Sequence, residues 1–135
     1  NQIIHQWQPN IKEINSFLKV NKKKINLQTD FSNNRYNIIH PLLMKDGSIL
    51  FHGMYSPLVK IDICSNYIWS IDDIFHHSIE IDNDGNIWTA IADTETNKIG
   101  FNDDYLAKVS QDGRILNKIS ISKLLKEIEY PFTNI

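Results

Sequence analysis

Apolar residues recur at Ile11, Ile14, Phe17 and Leu18 within the stretch NIKEINSFLKV, the spacing of one helix face. Asn10 stands ahead of them as a fitting N-cap, and Glu13 completes a capping box three residues on. A helix is therefore expected over 11–20, followed by a polar connector over about 21–37. Beyond the connector the pattern changes to short apolar runs separated by turn residues. These runs predict eight strands, at 38–44, 48–54, 58–63, 67–71, 77–82, 86–92, 105–110 and 114–120. The closing stretch SISKLLKEIE is amphipathic and reads as a short helix stopped by Pro131.

The runs fall into two matching sets. HPLLMKDGSILFHG, from His40, aligns with HSIEIDNDGNIWTA, from His77, with one residue of slack after the histidine. LVKIDICSNYIWSI aligns with LAKVSQDGRILNKI, the length difference falling in the polar loop DTETNKIGFNDD. Asp46-Gly47 and Asp84-Gly85 suit hairpin turns, because glycine accepts a positive φ without steric cost. Four strands recurring at roughly 40–50 residues mark a β-propeller blade. Several strands are apolar on both faces, as expected where neighbouring blades cover both sides. The expected class is thus all-β. Residues 1–37 form a helix and connector, and 38–135 hold two four-stranded antiparallel blades, 38–71 and 77–120. Propellers have about four blades or more. Two blades leave an apolar face uncovered, which points to a longer protein or to self-association.

Composition narrows the partners. With 14 basic and 16 acidic residues the formal charge is −2, which gives no electrostatic case for nucleic acid or a membrane surface. The run Lys22-Lys23-Lys24 sits in the connector and reads as solvated. No apolar run approaches the ~18 residues of a spanning helix, and no signal peptide is evident. The single cysteine, Cys64, excludes an internal disulfide and reads as a structural turn residue.

The ordered string from HPLL..DGS.LFHG through SPL.KID.CSN.IW to HHS.E.D..GN.W resembles the bacterial arylsulfotransferase family over about residues 35–127. The resemblance implies a six-bladed propeller exported to the periplasm. It implies transfer of a sulfuryl group between phenolic compounds, with an aryl sulfate and a phenol as partners and no cofactor. In that family a channel histidine is transiently sulfated, and other His and Arg side chains hold the sulfate oxygens. The family's nucleophile lies in a later blade, so this chain alone is expected to be inactive. A non-catalytic propeller module that binds a small molecule or a partner protein is the alternative, since a fold does not fix a function.

The candidate site follows from blade geometry. The innermost strand of each blade lines the channel; His40 opens one and His76-His77 open the other. Sulfuryl transfer needs a nucleophile, donors to the equatorial oxygens and an acid for the leaving phenolate, and histidine serves all three near neutral pH. His77 and His76 are the catalytic candidates, and His40, His52 and Arg35 the substrate-binding ones. Against this, a histidine at a strand end is ordinarily a satisfied polar residue, and Pro41 gives His40 an equal claim to a turn role. No H-x-H or C-x-x-C spacing supports a metal, and adjacent strand residues point to opposite faces. EIDNDGNIWTAI mimics a calcium loop at Asp82, Asp84 and Gly85 but has Ile91 where a bidentate Glu belongs, so it reads as a turn. Trp69 and Trp88 read as packing between blades, and Asp72-Asp73 as the cap of a turn before the second inner strand.

Overall fold

The computed structural model describes residues 2–18, 36–93 and 104–128. Four tight turns set its strand order. At 44–48, 62–66, 82–86 and 110–114 the first residue's amide donates to the fifth residue's carbonyl, at 2.8–2.9 Å. The fourth residue's amide donates back to the first carbonyl at 3.0 Å. This is the three-residue hairpin loop closed by a left-handed residue. That residue is Gly47, Gly85 or Gly113 in three turns and Ser65, at φ 69°, in the other. Asp62 makes the serine version work: its carboxylate accepts from the Asn66 amide at 2.8 Å and from Asn66 Nδ2 at 2.9 Å.

Among the described residues seven strands form one antiparallel meander, with these turns making four of its six connections: β1 (Ile39–Leu43), β2 (Ile49–His52), β3 (Ser56–Ile61), β4 (Tyr67–Ile81), β5 (Ile87–Ile91), β6 (Tyr105–Val109) and β7 (Ile115–Ser120). The all-β class is as expected. The count differs because the expected strands 67–71 and 77–82 are one strand. β4 pairs with β3 through its first part and with β5 through its second. Asp72-Asp73 does not break it. The Asp73 carboxylate accepts from its neighbour Ile74 N at 2.8 Å and from Lys118 Nζ on β7 at 2.9 Å. The backbone there stays extended, and the change of partner is absorbed in irregular register: Leu58 faces Ile71 and Ser56 faces Phe75.

The long β4 lets the second half of the sheet lie against the first. One core cluster joins Met44, Leu50 and Leu58 of the first half with Phe75, Ile79, Ile87, Ile91, Ala107 and Val109 of the second. The other lies on the far face of the first half, where Ile49, Phe51, Val59 and Ile61 meet Ile11 and Ile14. Every residue of β2 and β3 is therefore buried. Each large apolar side chain so covered contributes about 1.5–3 kcal/mol.

Ile11 and Ile14 belong to α1 (Ile11–Phe17), capped by Asn10, whose side chain accepts from Glu13 N. The helix is shorter than expected because Leu18 is already extended and packs against the same cluster. The preceding segment docks on the turns: Trp7 Nε1 donates to Gly47 O at 3.2 Å and Gln8 N to Ser65 Oγ at 2.8 Å. α2 (Ile121–Glu127) follows β7 directly, with Ser120 as N-cap. Among the described residues no helix is long and apolar enough to cross a membrane.

Trp69 locks the two halves at the turn end. Its indole N–H donates to Gln111 O at 3.0 Å, and its ring lies where a Cβ on Gly113 would come within 2.7 Å. At Gly85 the nearest atom to a Cβ is the mobile end of Gln111. Gly113→Ala is therefore expected to lower stability more than Gly85→Ala. The left-handed conformation costs each about 1–2 kcal/mol, and Gly113→Ala adds the clash with Trp69. Urea unfolding midpoints of the two variants check this; equal losses contradict the Trp69 contact.

Candidate functional site

Four of the five histidines meet at the end of the sheet opposite those four turns. His40 lies at the start of β1, His52 at the end of β2, and His76 and His77 in the middle of β4. β1 and β4 are bent in the same way. The β1–β2 register slips between Ile39, opposite His52, and Leu42, opposite Leu50. The β4–β5 register slips between His76, opposite Ala90, and Ile79, opposite Thr89. In each slip the residue after the paired position has a positive φ: His40 at 44° and His77 at 63°. These two are the histidines aligned in the repeated sequence.

A third such residue, Tyr55 at φ 53°, sits in the β2–β3 turn beside them. Outside the Ser65 turn, the described non-glycine residues with positive φ all belong to this cluster. Each costs on the order of 1–3 kcal/mol, so the surroundings must hold them. Ser56 Oγ holds the turn by accepting from Gly53 N, and it lies 3.1 Å from the Tyr36 hydroxyl. Burial pushes the Tyr36 hydroxyl up to about 12, against the opposing pull of its hydrogen bonds.

His52 holds the rest. Its ring is fully buried, with Nδ1 2.7 Å from Gly53 O and Nε2 2.8 Å from His77 O. Both partners are acceptors, so a neutral ring donates to one of them and an imidazolium to both. Burial is the larger influence and holds the His52 pKa below the ordinary histidine value; His40 and His77 push the same way, while the two carbonyls oppose. His52 thus ties the β2–β3 turn to the kink at His77.

His77 turns its side chain to solvent, as does His40. His76 is buried, its ring edge-on to His77 at 4.6 Å and 5.5 Å from the Tyr55 ring. Simple strand alternation would have sent His76 and His77 to opposite faces; the left-handed residue at 77 brings the rings together instead. His76 Nε2 is 3.4 Å from Asp104 Oδ2, within reach of an ion pair but without hydrogen-bond geometry, and neither ring nitrogen has a hydrogen-bond partner among the described residues. Burial lowers the His76 pKa, Asp104 raises it, and His77 and His52 lower it.

His40, His52, His76 and His77 are therefore brought together, with His52 internal and His40 and His77 accessible. Arg35 lies outside the described residues. Among the described residues no group of three or more His, Cys, Asp or Glu is arranged to hold a metal ion. The calcium-like segment is a hairpin turn. Asp82 Oδ2 accepts from Trp88 Nε1 at 3.0 Å and pairs with Lys108 at 3.3 Å, and its Oδ1 accepts from the Asn86 amide at 2.8 Å. The Trp88 hydrogen bond, helped by Asn86 and Lys108, holds the carboxyl well below its usual range. Trp69 packs between the halves, whereas Trp88 lies beneath the Lys108 ammonium, 5.4 Å away. Cys64 is exposed in the 62–66 turn. Two neighbours were not found from sequence: Tyr55, which has no periodic signal, and Asp104, one of two aspartates ending a polar loop. No protein-family model matches the chain, and no curated protein matches it.

The pKa directions fix the sign of a pH effect. A histidine whose folded pKa lies below its unfolded value favours the folded state above that unfolded value, about 6.5. The benefit is lost as pH falls. Stability is therefore expected to decline between pH 7 and 5, above the range in which carboxylates protonate. His52→Gln is expected to flatten that decline and to cost about 1–3 kcal/mol at pH 7 through unpaired carbonyls. Denaturant unfolding across this pH range is the check; an unchanged slope in His52→Gln contradicts the assignment.

Proposed function

We propose that the two halves are adjacent blades of a β-propeller and that the histidine end faces its channel, where it holds the sulfate group of an aryl sulfate. The observation that carries this reading is the equivalence of His40 and His77: aligned in sequence, each follows a register slip, each with a positive φ. The path of β4 supports the blade arrangement, since it leaves the pairing with β3 and becomes the first strand of the second half. β1 and β4 also touch without pairing, as inner strands of successive blades do.

The chemistry agrees. A sulfate ester presents oxygens that accept hydrogen bonds, and exposed imidazoles offer N–H donors without requiring a full charge. The resemblance to arylsulfotransferases supplies the substrate class, a phenolic sulfate with a phenol as acceptor. Within it, His40 and His77 are sulfate-holding residues, His52 supports His77 from beneath, and the nucleophile is supplied from elsewhere in the propeller.

Binding separates this reading from a propeller module with an unrelated ligand. Phenyl sulfate is expected to shift the imidazole resonances of His40 and His77, and phenol alone is not. His77→Ala is expected to weaken binding about tenfold, the equivalent of 1.4 kcal/mol. Equal responses to phenyl sulfate and phenol, or full affinity in His77→Ala, would refute the sulfate assignment.

A further inference from the structure

Both nitrogens of the His76 ring are buried and lack a hydrogen-bond partner among the described residues, in a residue only 6% exposed. Buried polar groups are ordinarily paired, and an exception calls for an explanation. The groups around the ring supply one. His77 faces it from its own strand and Tyr55 from the β2–β3 turn. His52, at the end of β2, is near enough to act on its charge, and beyond His52 lies His40. Asp104 reaches it from the foot of β6, with Oδ2 3.4 Å from Nε2. Of these, Asp104 alone carries a carboxyl group; His77 and His52 oppose a charge on His76, and Asp104 favours it.

Asp104 is also well placed to stay put. Its carbonyl accepts from Ile121 N at 3.0 Å, and its neighbour Tyr105 pairs with Ser120. The start of β6 and the start of α2 therefore fix its backbone, and the carboxylate is two-thirds covered.

We propose that Asp104 is the positioning residue of the histidine site: its carboxylate orients the His76 ring with Nε2–H towards it, leaves Nδ1 as the open nitrogen, and supplies the counter-charge with which this buried ring takes a proton from solvent when an oxyanion docks. The identity of that oxyanion, a sulfate group, rests on the function proposed above; the orientation of His76 by Asp104 does not. No bond other than N–H forms or breaks. Burial disfavours the imidazolium and the carboxylate favours it, so an arriving anion adds to a balance that Asp104 has already moved.

Nitrogen-15 and proton NMR of the histidine side chains tests this on the whole chain. In the unsubstituted protein at neutral pH, His76 is expected as the Nε2–H tautomer; the Nδ1–H tautomer would overturn the proposal without any substitution. In Asp104→Asn, the His76 titration midpoint is expected to move to lower pH while the spectrum keeps its folded dispersion; an unmoved midpoint overturns the positioning role. Sodium sulfate is expected to raise the His76 midpoint in the unsubstituted chain and to raise it less in Asp104→Asn. An equal rise in both contradicts the counter-charge role. If no histidine responds to sulfate, the oxyanion clause fails together with the sulfate reading of the site. That result is distinct from an unmoved midpoint in Asp104→Asn.

Discussion

The ring of His52, buried without solvent contact between the carbonyls of Gly53 and His77, is the contact on which the histidine end of this sheet depends. It joins the β2–β3 turn to the middle of β4, where the chain passes from one half of the sheet to the other. It fixes the carbonyl of His77, a residue held in left-handed backbone, and adds to the Ser56 bond that holds the turn around Tyr55. A polar group in such a position specifies geometry more than it adds stability. Its two acceptors cannot both be served by a neutral ring, so the arrangement is sensitive to protonation.

The rest of the fold arranges matters so that this contact can exist. The turns at 44–48, 62–66, 82–86 and 110–114 are confined to the other end of the sheet, which leaves strand starts and bends at the histidine end. Two-sided burial of β2 and β3 fixes their register, because a slip of one residue would exchange Leu50 for Phe51 between two different cores. His52 is then directed into the space between the halves, and the kink in β4 carries His76 and His77 to it. Most of the left-handed non-glycine backbone is thereby gathered at the histidine end and is offset by the packing of the two cores.

Much of this was legible in the sequence, for identifiable reasons. Asp46-Gly47 and Asp84-Gly85 announce their turns because few residues tolerate the conformation, and short apolar runs mark the strands between them. The 62–66 turn was harder to define because Ser65 does what glycine does elsewhere, with help from Asp62. The join at 72–76 misled because Asp-Asp reads as a turn signal, while Lys118, far along the chain, and Ile74 satisfy Asp73 in place. Alignment of His40 with His77 pointed to the end of the sheet where four histidines meet. It could not show that His52 is internal, that His76 and His77 lie ring to edge, or that Asp104 stands beside them. Those facts depend on left-handed residues and on a contact across strands, and neither leaves a local pattern.

In the function proposed here, two equivalent bulges place His40 and His77 to receive one sulfate group. A crystal structure of the chain with phenyl sulfate bound tests it most directly. Sulfate oxygens are expected within hydrogen-bond reach of the imidazoles of His40 and His77, with His52 still bridging Gly53 and His77 beneath them. Phenyl sulfate seated elsewhere, or the two imidazoles turned away from a common point, would contradict it.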